Sequence, residues 1–354
     1  MKFKELSINK DASILQALQQ MDTARHKMLL VFDEDKFYSI ITIGEIQRAI
    51  IGHKDMATPI VEIINVQRKA YASVYDSEDH IRNRMLQIRA EFMPVLNDSG
   101  DIVKLYHWSD FFSNNNISLT DNPIDIPVVI MAGGKGTRLK PITNVIPKPL
   151  VPIGKKTILE EIMDQFETIG CKHFYMSINY KSNMIRYYLN QLEHKYNIEF
   201  FEEDRPLGTI GSITLLKDKI NTPFFVSNCD IVIDQDYRDV YSYHTDNRND
   251  ITIVAAIKSF KIPYGVIETG EDGLMTGLKE KPELTYMINT GVYILNRDCI
   301  DMIPHGEFFH ITQLMEKIRA NGGRVGCFPV ADGAWHDMGE WSEYLKQINI
   351  SSKL

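Results

Sequence analysis

Cysteine is scarce in this sequence: Cys171, Cys229, Cys299 and Cys327 are scattered singly. No CxxC pair and no Cys/His cluster appears, so zinc is not expected, and buried thiols in a reducing, cytoplasmic setting fit best. Long apolar runs are missing too. The longest, such as IPVVIMAGG, fall far short of the roughly 20 residues a membrane helix needs, and no membrane partner is expected. The opening MKFKELSINKDAS has no apolar h-region, which argues against a signal peptide. Positive charge is in deficit: 39 Lys and Arg against 47 Asp and Glu leave a net charge of −8. A nucleic-acid partner needs a basic face and is not expected; a local basic pocket for phosphates is still allowed.

What is present is an ordinary globular composition, 44% hydrophobic and 24% charged, over 354 residues, long enough for about two domains. The first third contains a repeat. Aligning Met21 with Met85 places residues 27–46 over 91–111, with one residue inserted in the second copy. Each copy reads helix, strand, turn, strand, helix start. In the first, Ile14, Ala17, Leu18 and Met21 recur at helical spacing, Leu29–Phe32 is an apolar run, and Asp33-Glu34-Asp35 is turn chemistry. The second has the stronger turn, Asn97-Asp98-Ser99-Gly100. The polar stretch 113–123 shows neither period and reads as a linker. Beyond it, apolar strands alternate with helical stretches, which implies a mainly parallel sheet covered on both faces, with ligands at the carboxyl ends of its strands.

The sharpest motif lies at 126–150, IPVVIMAGGKGTRLKPITNVIPKPL. A strand runs into Gly133-Gly134-Lys135-Gly136-Thr137-Arg138. Such glycines admit backbone N–H groups close to a polyphosphate, and Arg138 adds a planar donor fork. Lys148, between two prolines, could aim at the same phosphates. A tight turn would be the bland alternative. The string is not a P-loop, because GxxxxGK[ST] is absent, and it is a poor dinucleotide fingerprint.

The whole string resembles the signature of the sugar nucleotidyltransferases, AGGxGTRLxPxT followed by PKPL. The resemblance extends loosely over about 126–350 and implies an α/β fold: a mixed, mostly parallel Rossmann-like sheet with helices on both faces, occupying 125–354. It assigns catalytic roles to Arg138 and Lys148. Nucleotide binding falls to Gly133, Gly134, Gly136, Thr137 and, within Glu203–Thr209, to Gly208. Asp230, after a strong apolar strand, and Asp337, in Trp335-x-Asp337-x-Gly339, would hold Mg²⁺; Cys229 stands where the family usually has Gly. Gly265, Glu280, Lys281 and Asn289 would take the sugar-1-phosphate. The implied reaction attacks the α-phosphorus of a nucleoside triphosphate with a sugar-phosphate oxygen, so no side-chain nucleophile or general base is required. PKPLVPIGKK looks more like the guanylyl or cytidylyl branches than the thymidylyl branch, and GTP is favoured. A non-catalytic nucleotide sensor is the alternative of another class.

The repeat in 1–118 resembles a pair of CBS motifs, a smaller α+β module that commonly binds adenine nucleotides. Asp110 matches the family's ribose-binding Asp, although His107 replaces its Thr; the first copy has Glu45 there instead. A purely structural dimerisation module is the alternative, and CBS pairs often associate face to face, so a homo-oligomer is expected. A CBS pair before a PKPL-type transferase resembles guanylyltransferases of bacterial surface-sugar pathways, including the one acting on glucosamine-1-phosphate.

Overall fold

The computed structural model describes residues 3–65, 70–88, 90–112, 123–192 and 196–351, with residues 349–351 described by backbone alone. The linker expected at 113–123 lies, apart from Pro123, outside the described residues. The chain forms two compact units, Met1–Ser118 and Leu119–Leu354.

In the first unit each repeat is a strand, a helix, a hairpin and a helix. The first has β1 (Ser7–Asn9), α1 (Ile14–Ala24), β2 (Met28–Asp33), β3 (Lys36–Thr42) and α2 (Ile43–Ile51). The second has β4 (Ala72–Ser73), α3 (Glu78–Ile88), β5 (Phe92–Leu96), β6 (Ile102–His107) and α4 (Trp108–Phe112). Ile14, Ala17, Leu18 and Met21 form the buried stripe of α1, and Ile81 and Met85 that of α3. The leading strands β1 and β4 were not expected, because two or three residues are too few to show a period. They pair in parallel with β2 and β5, each of which forms an antiparallel hairpin with the next strand.

The equivalence reaches individual hydrogen bonds. The register slips between Val31 and Phe32 in one copy and between Val95 and Leu96 in the other. The amide of Ile43 donates to Lys27 and that of Trp108 to Glu91, at 2.8 and 2.7 Å. Met28, Leu30 and Ile40 share one core with Ala72, Ile81, Met85, Phe92, Val95 and Tyr106, so each repeat buries the other's apolar face.

The second unit is built on a seven-stranded sheet. In chain order its elements are β7 (Val128–Met131), β8 (Pro152–Ile153), β9 (Lys156–Thr157), α5 (Ile158–Glu167), β10 (His173–Ile178), α6 (Ser182–Gln191) and β11 (Asn197–Glu202). Next come β12 (Phe224–Asn228), β13 (Ile231–Ile233), α7 (Tyr237–Asp246), β14 (Ile251–Lys261), β15 (Val266–Thr269), β16 (Met275–Lys279) and β17 (Glu283–Leu295). The last are α8 (Ile311–Ala320), β18 (Val325–Ala331), β19 (Trp335–Asp337) and α9 (Trp341–Ser351). The sheet order is β11-β10-β7-β12-β17-β14-β18, with β17 antiparallel to both neighbours and the other pairs parallel.

Successive strand residues face opposite sides. Val226 joins Val129, Tyr293 and the α8 residues Leu314 and Ile318 in one buried cluster. Its neighbour Phe225 packs on Phe166 of α5 and Tyr237 of α7, with ring centroids 5.0 and 5.6 Å away. Helices thus cover both faces, as the alternating pattern implied. Cys171, Cys229 and Cys299 are buried and Cys327 half-buried, all as thiols; burial pushes Cys229 up to about 12. Among the described residues no helix is long and apolar enough to cross a membrane.

Candidate active site

The parallel strands β7, β10, β11 and β12 end at one edge, and the loop after each begins there. After β7 the chain enters the glycine-rich loop. Gly136 takes φ +61°, and a Cβ there would lie 2.9 Å from Cβ of Lys148 and from Thr143. Glycine at this position therefore lets the loop settle on Lys148. A Cβ on Gly133 would meet Asn179 at 3.3 Å, after β10, whereas Gly134 faces open space. Thr137 opens a short 3-10 turn, Thr137–Leu139, that carries Arg138.

After β12 comes Asp230. Strand β13 then pairs antiparallel with β19, placing Ile231 opposite Asp337, and the Met338 amide donates to the Asp230 carbonyl at 2.8 Å. This short ladder joins the two candidate metal carboxylates. Both reach the same guanidinium: Arg138 donates through Nη1 to Asp337 Oδ2 at 3.0 Å and through Nη2 to Asp230 Oδ2 at 3.5 Å. Lys148 Nζ donates to Asp230 Oδ2, and both side chains are nearly buried. Burial raises the Asp230 carboxyl above its usual range, with Lys148 and Arg138 pulling the other way. Gly339 lies against all three, since a Cβ there would come within 2.5 Å of Lys148 Nζ and 2.6 Å of Asp230 Oδ2. A third carboxylate, Glu340, also ion-pairs with Arg138.

Beside this cluster opens a cleft of about 350 Å³ lined by Arg138, Asp230, Asn289 and Asp337, together with Thr209, Asn228, Tyr293 and His310. The antiparallel β17 supplies Asn289, because Val292 pairs with Ser227 near the end of β12. Gly291, at φ +91°, allows the chain to pass over Asn228, whose side chain a Cβ would strike. Gly208, at φ +81°, permits a similar approach to Phe309, 2.5 Å from where its Cβ would be. Thr209 Oγ1 then accepts the Ile311 amide at 2.9 Å, and Glu203 accepts the Leu207 amide at 2.9 Å.

Of the residues singled out from sequence, Arg138, Lys148, Asp230 and Asp337 form one ion-paired cluster, and Asn289 lines the cleft beside it. Gly265 and Glu280 adjoin each other, with a Gly265 Cβ 3.1 Å from Glu280 Oε2, and Lys281 follows at φ +43°. All three are exposed at the base of the β15–β16 hairpin and none lines the cleft. Asn228, Tyr293, His310 and Glu340 were missed. Asn228, two residues before Asp230 at a strand end, and Glu340, directly after Gly339, could have been found by position; His310 has no local signal.

In the first unit, Thr42 Oγ1 accepts the Glu45 amide while Glu45 Oε2 accepts the Thr42 amide at 2.9 Å, and Glu45 Oε1 accepts the Asn65 amide at 3.1 Å. Asp110 Oδ2 accepts the His107 amide at 2.7 Å. Both carboxylates thus serve as backbone caps, three residues beyond the amide they accept.

The glycine-rich loop, two cations and paired carboxylates thus meet at one sheet edge of the second unit. The nucleotidyl transferase family model matches residues 127–353, and the chain belongs to that family. The CBS domain model matches residues 1–52, the first of the two repeats. A mannose-1-phosphate guanyltransferase from Pichia angusta is 36% identical over 232 residues, which are 61% of this chain and 62% of that protein. The Saccharomyces cerevisiae protein of the same name is 34% identical over 226 residues, 61% of this chain and 62% of that one. The chain therefore spans about 62% of the length of these curated relatives. Among solved structures, HddC from Yersinia pseudotuberculosis superposes with a TM-score of 0.50 at 29% identity, covering 64% of this chain and 99% of that one. A second structure of HddC, complexed with GMP-PN, also gives 0.50 at 28% identity, with the same coverage.

Proposed function

We propose that this chain transfers a nucleoside monophosphate from a nucleoside triphosphate, GTP in first place, to a sugar-1-phosphate, with Mg²⁺ as cofactor. The carrying observation is the convergence of Arg138, Lys148, Asp230 and Asp337 beside the cleft. In the reaction a sugar-phosphate oxygen forms a bond to the α-phosphorus, the bond from that phosphorus to the bridging oxygen breaks, and pyrophosphate leaves. Two polyanions must approach each other, and Arg138 and Lys148 offset that repulsion while fixing the line of attack.

Asp230 and Asp337 fit a divalent cation, because both carboxylates reach a single positive group, Arg138. Among the described residues no set of three or more His, Cys, Asp or Glu is placed to hold a metal. Phosphate oxygens and water would therefore complete the shell, the arrangement Mg²⁺ prefers. When bound, the ion supplies charge neutralisation at the phosphates.

GTP is supported by the PKPL string, by the names of the guanyltransferase relatives and by HddC with GMP-PN. Those relatives make mannose-1-phosphate a first sugar to try, with glucosamine-1-phosphate beside it on grounds of domain order. The product would be a precursor for surface-glycan synthesis in a bacterial cytoplasm, a setting the four thiols suit. In the first unit, an adenine nucleotide would find the Glu45 carboxylate already committed, which leaves exposed Asp110 as the position for ribose hydroxyls. Assembly of copies through that unit is the companion role. The test is pyrophosphate release with Mg²⁺ across GTP, CTP, UTP, dTTP and ATP against mannose-, glucose-, glucosamine- and N-acetylglucosamine-1-phosphate. Release with GTP and one sugar is expected. A brighter cell with another base overturns GTP, and a grid blank throughout, with and without adenine nucleotides, overturns the reading.

A further inference from the structure

We propose that Glu340 is an internal competitor of the triphosphate: its carboxylate holds Arg138 by an ion pair that the incoming phosphates must displace. The inference rests on the reading of Arg138 as a phosphate-binding group.

The geometry makes the competition unavoidable at one nitrogen. Arg138 Nη1 carries two N–H groups and meets two carboxylates, Asp337 Oδ2 at 3.0 Å and Glu340 Oε1. Nη2 leans toward Asp230 Oδ2 at 3.5 Å. A phosphate oxygen that takes a donor from Nη1 must evict one of these partners. The side chains of Asp230 and Asp337 are 8% and 18% exposed and are held by the β13–β19 ladder. Glu340 is 49% exposed and has one more methylene. It is the partner that can swing into water at little cost, because an exposed ion pair is weak.

The backbone keeps Glu340 within reach. The Gly339 amide donates to Asp337 Oδ1 at 2.9 Å and the Glu340 amide to the Asp337 carbonyl at 3.0 Å, which fixes the turn that follows the metal-side aspartate. Gly339 has no side chain to push this turn off Lys148 and Asp230, so the next residue emerges beside Arg138. The Tyr344 amide donates back to the Glu340 carbonyl at 2.9 Å, anchoring the turn to α9. Asp230 and Asp337 hold the guanidinium at the cleft, and Glu340 lowers nucleotide affinity by occupying it.

The test uses the full chain with Mg²⁺ and no sugar phosphate, so that nothing turns over. Calorimetry measures binding of GTP and of inorganic tripolyphosphate, the latter independent of base. Glu340→Gln should tighten both by about two- to fivefold, the range an exposed ion pair allows. Glu340→Asp, which keeps the charge but shortens the reach, should tighten them similarly. Neither variant should change the affinity once Arg138 is Ala. Unchanged or weaker binding in Glu340→Gln overturns the proposal. So does equal tightening in the Arg138→Ala background, or an Asp variant that behaves as wild type, since either would mean simple through-space repulsion. If Arg138→Ala alone binds both probes as wild type does, the role given to Arg138 fails first and this inference with it. If Arg138→Ala loses binding while the Glu340 variants change nothing, only this inference fails.

Discussion

The two units use their carboxylates in opposite ways. In the first, Glu45 and Asp110 accept backbone amides and close turns. In the second, Asp230, Asp337 and Glu340 converge on Arg138, and Lys148 adds to the same cluster. A carboxylate that caps a backbone amide stabilises the fold; Glu45 has both oxygens engaged in this way, whereas Asp110 engages Oδ2. Carboxylates crowded with cations at the mouth of a cleft would, in the proposed function, exchange partners for a ligand. The same residue type in two surroundings therefore reads as architecture in one unit and as chemistry in the other.

Three substitutions would break or sharpen that contrast. The largest effect is expected for Asp230→Asn, which should lower turnover by about 10²–10³-fold, by analogy with loss of one oriented transition-state contact. Pyrophosphate release checks it, and release at the wild-type rate would remove Asp230 from the metal assignment. Glu45→Ala should leave turnover alone but destabilise the first unit by about 1–2 kcal/mol, because it removes the buried acceptor of the Thr42 and Asn65 amides. Urea unfolding of the full chain reads this out, and an unshifted first transition would refute the capping role. Asp110→Ala is the mildest. Its carboxylate is exposed, so a loss of about 0.5–1 kcal/mol is expected, seen as faster hydrogen exchange at the His107 amide. A loss as large as that for Glu45→Ala would mean the two copies are equally dependent on their caps.

Local signals made much of this legible. The apolar stripe of α1 followed from spacing alone, and the one-residue offset between copies matches the insertion between β5 and β6. The signature string located Arg138 and Lys148, and the apolar strand before Asp230 placed that carboxylate at a sheet edge. What escaped has a common cause. Strands β1 and β4 are too short to show alternation, and they exist because β2 and β5 offer edges to pair with. His310 reaches the site only through contacts far along the chain, which no local pattern encodes, whereas Glu340 follows the Trp335-x-Asp337-x-Gly339 motif directly. For Gly265, Glu280 and Lys281, motif matching named neighbours within an exposed hairpin, while the cleft itself is lined from β12, β17 and the start of α8.

The ladder between β13 and β19 has a consequence for how the protein is made. Arg138, Lys148 and Asp230 emerge from the ribosome long before Asp337, and β13 has no β19 to pair with until Trp335–Asp337 have been made. The central strands up to β17 can assemble around a half-built centre, since their pairings do not involve β19. If the proposed function holds, the carboxylate pair is complete only with this late pairing, so the appearance of activity would time the closing of the β13–β19 ladder rather than the first folding of the sheet.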